Sequence, residues 1–151
     1  MINQEKISME DFLAACKKKR EDRLAILFAL ARSGVEFIDP DNTYVDETVT
    51  IGQGTTVYPG VILSGNTVIG RDCLIGAGTR IVDSAVGDGT EIQASHILES
   101  RIGERCKIGP FAYVRPDCRI GDGDLDADPA EIEPCCGLAS LTEARSATIG
   151  T

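Results

Sequence analysis

The main pattern in the chain is an aliphatic residue that returns at every sixth position through its middle. The positions that share this spacing are Val45, Ile51, Val57, Leu63, Ile69, Ile75 and Ile81, then Ile102, Ile108, Val114 and Ile120. Small or β-branched residues precede them by two positions: Val49, Thr55, Val61, Thr67, Cys73, Thr79, Ser100, Cys106, Ala112 and Cys118. Because residues two apart in a strand share one face, both series are predicted to point inward.

A period of six fits neither an α-helix nor a long strand, but it fits very short strands joined by tight corners. Three such strands close a triangular coil, and successive coils stack at about 4.8 Å. Glycine follows the aliphatic position at sites such as Gly52 and Gly70, where a corner needs backbone freedom. The pattern predicts a mainly β protein, a left-handed parallel β-helix of hexapeptide repeats, with about four coils in residues 45–121.

A helical pattern precedes the repeat. Apolar residues at helical spacing predict a helix from about Met9 to Arg32, and their face consists of Phe12, Leu13, Cys16, Leu24, Leu27, Phe28 and Ala31. Ser8, three positions before Asp11, is predicted to cap its first turn, and Gly34 is predicted to end it in a left-handed conformation. The basic run at residues 17–20 is predicted to be a solvated face of this helix.

The pattern divides the chain into a helical arm (1–34), a β-helix (35–121) and an acidic irregular tail (122–151). The tail has no six-residue period, and its Asp, Ala, Glu and Pro content is typical of an irregular segment. It holds seven acidic residues and one basic residue. One hypothesis for its origin is a disrupted reading frame in an ancestral longer gene.

Charge and hydropathy exclude several functions. The formal net charge of −9 argues against a nucleic-acid partner, since phosphate binding requires an excess of Lys and Arg. No apolar run is long enough to span a membrane, and we see no secretory signal. We therefore expect a cytoplasmic protein, in which free thiols are the default state of the six cysteines.

None of the cysteines is predicted to do chemistry. Cys73, Cys106 and Cys118 hold the small inward position and should be buried apolar residues. Cys135 and Cys136 are adjacent but have no matching pair with which to bind zinc. The pattern therefore predicts no metal site built from thiolates.

The single histidine, His96, lies where the six-residue period slips by one residue. A general base needs a nucleophile or an acceptor nearby, and the sequence offers none. We interpret His96 as a surface or corner histidine and predict no catalytic residue.

The stretch "DGDLDADPAEIE", residues 122–133, has nearly the ligand spacing of an EF-hand calcium loop. However, Asp122 and Gly123 continue the corner of the preceding repeat. Ala127 stands at the sixth position, where such a loop needs glycine. The favoured interpretation is that no metal binds here, and a calcium module is the alternative.

Four strings carry a resemblance to a known family: "GVEFIDPDNTYVDETVTIG", "YPGVILSGNTVIG", "IQASHILES" and "IGPFAYVRP". In this order they closely resemble the bacterial bifunctional N-acetylglucosamine-1-phosphate uridyltransferase/glucosamine-1-phosphate N-acetyltransferase family, from about Phe12 to Gly121. The resemblance implies a homotrimeric left-handed β-helix in the cytoplasm that serves cell-wall sugar-nucleotide synthesis. It implies acetyl-CoA as co-substrate, a sugar phosphate or UDP-sugar as partner, and magnesium in a nucleotidyltransferase domain that has no counterpart in this sequence.

The resemblance also assigns one binding residue. The arginine of the family's "RP" string grips the phosphate of the sugar acceptor, which implies that role for Arg115. A guanidinium suits it, because its fork of donors matches a phosphate. Asp117 stands where the family usually has glycine, a tolerable change because Asp can adopt the left-handed conformation.

The family's lysine, catalytic histidine, tyrosine and asparagines have no match after Gly121. Without a general base, amide formation would lose roughly a hundredfold or more. We therefore expect part of an acetyltransferase that is weakly active or inactive alone. The alternative is a non-catalytic β-helix fragment that trimerises or binds sugar phosphates.

Overall fold

The structure, a computed structural model, describes residues 6–123. Its helix α1 spans Met9–Arg32, as the sequence predicts. The Ser8 hydroxyl accepts a hydrogen bond from the Asp11 N–H at 3.1 Å, which confirms the predicted cap. Gly34 has a φ of +105°, which confirms the left-handed stop.

Fifteen strands of two or three residues follow α1, and one 3-10 turn at Pro40–Asn42 lies between the first two. The strands are β1 Glu36–Phe37, β2 Tyr44–Val45, β3 Thr50–Ile51, β4 Thr56–Val57, β5 Ile62–Ser64, β6 Val68–Ile69, β7 Leu74–Ile75, β8 Arg80–Val82, β9 Ala85–Val86, β10 Glu91–Ile92, β11 His96–Leu98, β12 Arg101–Ile102, β13 Lys107–Ile108, β14 Tyr113–Val114 and β15 Arg119–Ile120.

Each strand pairs in parallel with the third strand after it, so the strands form three five-stranded sheets. Face 1 has the order β1-β4-β7-β10-β13, face 2 has β2-β5-β8-β11-β14, and face 3 has β3-β6-β9-β12-β15. The predicted fold class, one long helix followed by a parallel β-helix, is confirmed.

The predicted coil number is too low. Fifteen strands on three faces make five coils, whereas the sequence suggested about four. The strand at Glu36–Phe37 begins the stack before the hexad series does. In addition, several steps between Ile81 and Ile102 are five residues long rather than six, so these coils use less chain.

Both predicted inward series form the core. Every member of the two series is buried in the structure, and the Thr and Ser members line the same interior as buried polar groups. The residues that bridge the irregular region are also buried: Val86, Ile92 and Ile97, with Ser84, Thr90 and Ser95 two positions before them. Burying one such aliphatic side chain contributes about 1.5–3 kcal/mol, so the column accounts for much of the stability.

The buried hydroxyl groups link one coil to the next. The Thr55 hydroxyl donates to the Gly70 carbonyl at 2.7 Å and accepts from the Cys73 N–H at 3.1 Å. Thr90 makes the same pair of bonds, to the Gly103 carbonyl and from the Cys106 N–H. These side chains satisfy backbone groups that would otherwise be costly to bury.

The interior cysteines occupy the predicted small positions. The Cys106 thiol donates to the Gly121 carbonyl at 3.0 Å, and burial raises the pKa of this thiol to about 11. Burial likewise raises the pKa of Cys73. Cys16, Cys73 and Cys106 are free, as expected, but the expectation is wrong for Cys118, which is disulfide-bonded.

Helix α1 covers the first coil. Leu27 is its one buried residue, and Leu24, Ile26 and Leu30 pack against the core. Arg20 forms an ion pair with Asp41 at 3.1 Å, so one residue of the predicted solvated basic run also holds the helix to the turn below it. The rest of that run is exposed, as predicted.

The predicted apolar face of α1 is longer than the surface it covers. Phe12 and Leu13 are 52% and 57% exposed, and Cys16 and Phe28 are also exposed. The first half of the helix therefore extends past the β-helix.

No helix within residues 6–123 has both the length and the apolar character needed to cross a membrane. The predicted boundaries of the arm, β-helix and tail stay predictions. Residues 124–151, most of the predicted tail, lie outside the described part of the chain.

Candidate functional site

Arg115 lies directly after β14, at a corner of the last described coil. Its carbonyl accepts a hydrogen bond from the Ser100 hydroxyl at 2.7 Å. The same hydroxyl accepts from the Cys118 N–H at 3.2 Å. Because Ser100 is buried, a side chain one coil below fixes the backbone on both sides of the corner.

The residues after Arg115 close the corner tightly. Pro116 has a ring-fixed φ, and Asp117 adopts the left-handed conformation with a φ of +67°. The Asp117 N–H donates to the Glu99 carbonyl in the coil below at 2.9 Å. The expectation that Asp117 adopts the left-handed conformation is confirmed.

The Arg115 side chain is exposed, and it makes no hydrogen bond or ion pair with another residue of the described region 6–123. A guanidinium on a fixed backbone can present two parallel N–H donors to a phosphate or carboxylate. The geometry is therefore that of an available anion ligand, and the phosphate role of Arg115 stays a prediction.

His96 and Tyr113 lie side by side on face 2, in register between β11 and β14. Their ring centroids are 6.4 Å apart with a tilt of 49°. His96 is exposed on a strand, which confirms its interpretation as a surface or corner histidine. Sequence reasoning missed Tyr113, although its position directly before inward Val114 predicts an outward side chain.

Further basic residues lie on the last two described coils. Arg101 and Arg119 are aligned partners on face 3, and Lys107 stands at the equivalent position on face 1. We call Arg101, Arg105, Lys107, Arg115 and Arg119 the basic end. Residues 101–121 contain these five basic residues and two acidic ones, whereas residues 35–100 contain two basic and ten acidic residues.

The alignment of Arg101 with Arg119 was also missed. Like charges opposite each other on neighbouring strands repel, and an anion relieves that repulsion. The sequence signal that could have revealed this pair is the outward position of each arginine, directly before an inward aliphatic residue.

The described carboxylates do not form a metal centre. No group of three His, Cys, Asp or Glu side chains in residues 6–123 is placed to hold a metal ion. Asp122 accepts from the Glu104 N–H at 2.8 Å, as Asp88 does from the Arg71 N–H two coils earlier on the same corner. Asp122 therefore belongs to the preceding corner, as predicted, and the rest of the suspected calcium loop, 124–133, lies outside the described residues.

Two apolar grooves flank α1 at the first coil, away from the basic end. One has a volume of about 360 Å³ and is lined by residues such as Leu24, Phe28 and Phe37. The other has a volume of about 340 Å³, and Glu47 is the acidic residue in its lining. Neither groove contains Arg115 or a residue of the basic end.

Short parallel strands, three faces and an inward hexad series define the class of hexapeptide-repeat β-helix proteins. The family model described as the GMPPB C-terminal domain matches residues 40–124. The chain belongs to this family.

Matches to curated relatives are longer than the match to the family model. The chain is 48% identical over 101 residues to the bifunctional protein GlmU of Alkaliphilus oremlandii, which covers 67% of this chain and 22% of that protein. It is 51% identical over 101 residues to GlmU of Alkaliphilus metalliredigens, with the same shares covered. It is 40% identical over 119 residues to GlmU of Listeria monocytogenes, covering 79% of this chain and 26% of the relative.

These matches confirm the resemblance, and the chain spans about a quarter of the length of the curated relatives it matches. Because these relatives are named bifunctional proteins, the comparison does not favour the alternative of a non-catalytic fragment.

Among solved structures, the acetyltransferase domain of PglB from Neisseria gonorrhoeae in complex with acetyl coenzyme A is 15% identical to this chain. That comparison covers 58% of this chain and 48% of the other with a TM-score of 0.26, too low to support an argument.

Proposed function

We propose that this chain provides part of the acetyl-transfer half of a GlmU-type enzyme, in which Arg115 holds the phosphate of a sugar phosphate acceptor. The similarity to bifunctional GlmU proteins, at 40–51% identity, is the observation that carries the proposal. The exposed Arg115 side chain on a corner fixed by Ser100 supports the assignment of the residue.

Electrostatics favour an acidic ligand at this corner. Arg115 can form charge-assisted, bidentate hydrogen bonds to phosphate oxygens. Its neighbours in the basic end raise the local concentration of anions, although the protein as a whole is acidic. Because the guanidinium is exposed, water and salt compete with the ligand, and we expect a Kd on the order of millimolar.

Acetyl transfer further requires acetyl-CoA and a base that deprotonates the sugar amine. The resemblance implies acetyl-CoA as the co-substrate. In the described residues, His96 and Tyr113 are the titratable side chains on face 2 of the upper coils, and no third side chain is shown hydrogen-bonded to either. We therefore propose that this 151-residue polypeptide is weakly active or inactive by itself.

We assign the uridyl-transfer step and its magnesium ion to other parts of a GlmU-type protein. The described carboxylates do not fit such an ion, because none are grouped for it. We further propose a cytoplasmic protein that forms homotrimers. Exposed apolar side chains on faces 2 and 3, including Tyr44, Ile62 and Val68, provide surface for such an association.

The binding role is tested by calorimetry with glucosamine 1-phosphate. We expect weak binding to the unmodified chain and a loss of at least tenfold in affinity for Arg115→Ala, which corresponds to about 1.4 kcal/mol or more. Arg71→Ala, at an exposed corner of a lower coil, is the matched control and should leave affinity unchanged. Equal affinity for the two variants would remove Arg115 from the site.

The catalytic part of the proposal is tested separately. Purified chain, glucosamine 1-phosphate and acetyl-CoA are mixed, and release of free CoA is followed. We expect a rate near that of the uncatalysed mixture. A rate typical of an enzyme, about 1 per second or higher, would contradict the proposal that this chain lacks the general base for acetyl transfer.

A further inference from the structure

Face 2 carries a group of exposed ring side chains close to Arg115. Tyr113 is 45% exposed, and His96, its register partner one coil below, is also exposed. Phe111, at the corner before β14, is 77% exposed. Ring side chains therefore form part of the outer surface at the last two described coils of this face.

Arg115 lies on the same side of the strand as Tyr113. It follows Tyr113 by two residues, and the buried Val114 lies between them, so strand alternation directs both exposed side chains outward. Residues two apart along a strand are separated by about 6.6 Å. A ligand whose phosphate is bound by Arg115 can therefore extend across the Tyr113 and His96 rings.

The strand surface around these rings has no carboxylate. The outward residues of face 2 on the last three described coils are Arg80, Val82, His96, Leu98 and Tyr113. The nearest acids in the sequence, Glu99 and Asp117, belong to the corners after these strands, and neither forms an ion pair with Arg115. The surface therefore favours a negative group at Arg115 and an uncharged ring beside it.

A sugar ring matches the uncharged part of this surface. One side of a pyranose presents C–H groups, which pack on the electron-rich face of an aromatic ring. Its hydroxyl groups can bond to the Tyr113 hydroxyl and to the His96 imidazole. The two rings lie side by side with centroids 6.4 Å apart and a tilt of 49°, so they do not form a parallel slot for a flat nucleobase.

We propose that Tyr113 and His96 form a ring-binding subsite beside Arg115, and that this subsite selects a phosphorylated pyranose over an acyclic phosphate ester. The inference rests on the proposed phosphate role of Arg115 and adds a selectivity that a single guanidinium does not provide. The two side chains bind the sugar ring and take no part in proton transfer.

NMR titrations of the full chain with glucose 1-phosphate, glycerol 3-phosphate and inorganic phosphate test the subsite. Glucose 1-phosphate has the ring but no amine, so its binding to Tyr113 does not depend on a cation. We expect it to bind about fivefold more tightly than the other two ligands. Tyr113→Ala should remove this advantage and leave the affinity for the other two within about twofold, and His96→Ala should reduce the advantage less.

Two tyrosine variants serve as controls. Tyr44 lies on the same face at the first coil and is 47% exposed, but its ring already contacts Arg23, whose Cζ is 4.9 Å from the ring centroid. Tyr44→Ala should therefore leave all three affinities unchanged. Tyr113→Phe keeps the ring and should keep most of the selectivity. If Tyr113→Ala does not fold, nuclear Overhauser effects between sugar C–H protons and the Tyr113 ring of the unmodified chain provide the same test.

The outcomes separate this inference from the proposed function. Equal affinity for glucose 1-phosphate and glycerol 3-phosphate, or an equal loss for all three ligands in Tyr113→Ala, would overturn the subsite. If Arg115→Ala still weakens all three ligands in that case, the phosphate role stands alone. Ring selectivity that depends on Tyr113 but not on Arg115 would support the subsite and contradict the phosphate role. Tighter, Tyr113-dependent binding of uridine 5′-phosphate than of glucose 1-phosphate would mean that the rings take a nucleobase, which contradicts the inference.

Discussion

The first coil and the last described coil of the β-helix differ in which side chains are buried and which are exposed. At the first coil, α1 lies over the stack, Leu27 is buried, and Arg20 is paired with Asp41. At the last described coil, the side chains of Arg115 and Arg119 are exposed. The difference separates two tasks: apolar burial at the first coil stabilises the fold, and exposed arginine side chains at the last described coil are available for ligands.

Removing the apolar cover should have the largest effect on stability. Leu27→Ala deletes a side chain that is 2% exposed and leaves a cavity between α1 and the core. We expect a loss of about 2–5 kcal/mol in the free energy of unfolding, measured by urea denaturation. Phe28→Ala, the next residue and 63% exposed, is the control and should cost less than about 0.5 kcal/mol.

If the two substitutions destabilise the protein equally, α1 does not cover the first coil in the way described. The comparison of the two ends would then have no energetic basis.

The next largest effect concerns pH. The Cys106 thiol has a pKa near 11 in the folded protein, against an ordinary value of 9.0, because burial disfavours its thiolate. The stability that depends on this neutral thiol is complete below pH 9 and is lost as pH rises towards 11, since the unfolded chain ionises first. The loss should amount to about 2–3 kcal/mol.

The measurement is the free energy of unfolding between pH 8 and 11 for the unmodified chain and Cys106→Ser, which lacks the titrating group. The variant should show the shallower decline. Cys16→Ser removes an exposed thiol and should decline as steeply as the unmodified chain, so a shallower decline in that variant would contradict the assignment to burial.

The smallest expected effect lies at the corner of the basic end. Asp117 has a left-handed backbone, which costs L-residues roughly 1 kcal/mol and glycine almost nothing. We expect Asp117→Gly to change the stability by less than about 1 kcal/mol and Asp117→Val to lower it by about 1–2 kcal/mol, in thermal unfolding. A Val variant as stable as the Gly variant would show that this corner is not fixed.

The core could be predicted from the sequence because its signal is local. The regular spacing of aliphatic and small residues is enough to identify the inward positions. The helix caps at Ser8 and Gly34 depend only on neighbouring residues. The strand Glu36–Phe37 was missed because it precedes the first hexads and is defined by its pairing with β4, which sequence spacing does not show.

The basic end was harder to predict because it depends on register. Arg101 aligns with Arg119 at a separation of eighteen residues, whereas His96 aligns with Tyr113 at seventeen and with Arg80 at sixteen. The separation changes with the length of each corner, so a fixed period does not give the partners. The role assigned to Arg115 came from resemblance, because nothing local distinguishes it from another exposed arginine.

An NMR titration of the full chain with glucosamine 1-phosphate, followed through backbone amide shifts, tests the central claim most directly. We predict that perturbations concentrate at residues 113–119, that α1 is unaffected, and that Arg115→Ala abolishes the perturbations. Shifts centred on the grooves beside α1, or shifts at the last coil that persist in Arg115→Ala, would contradict the account.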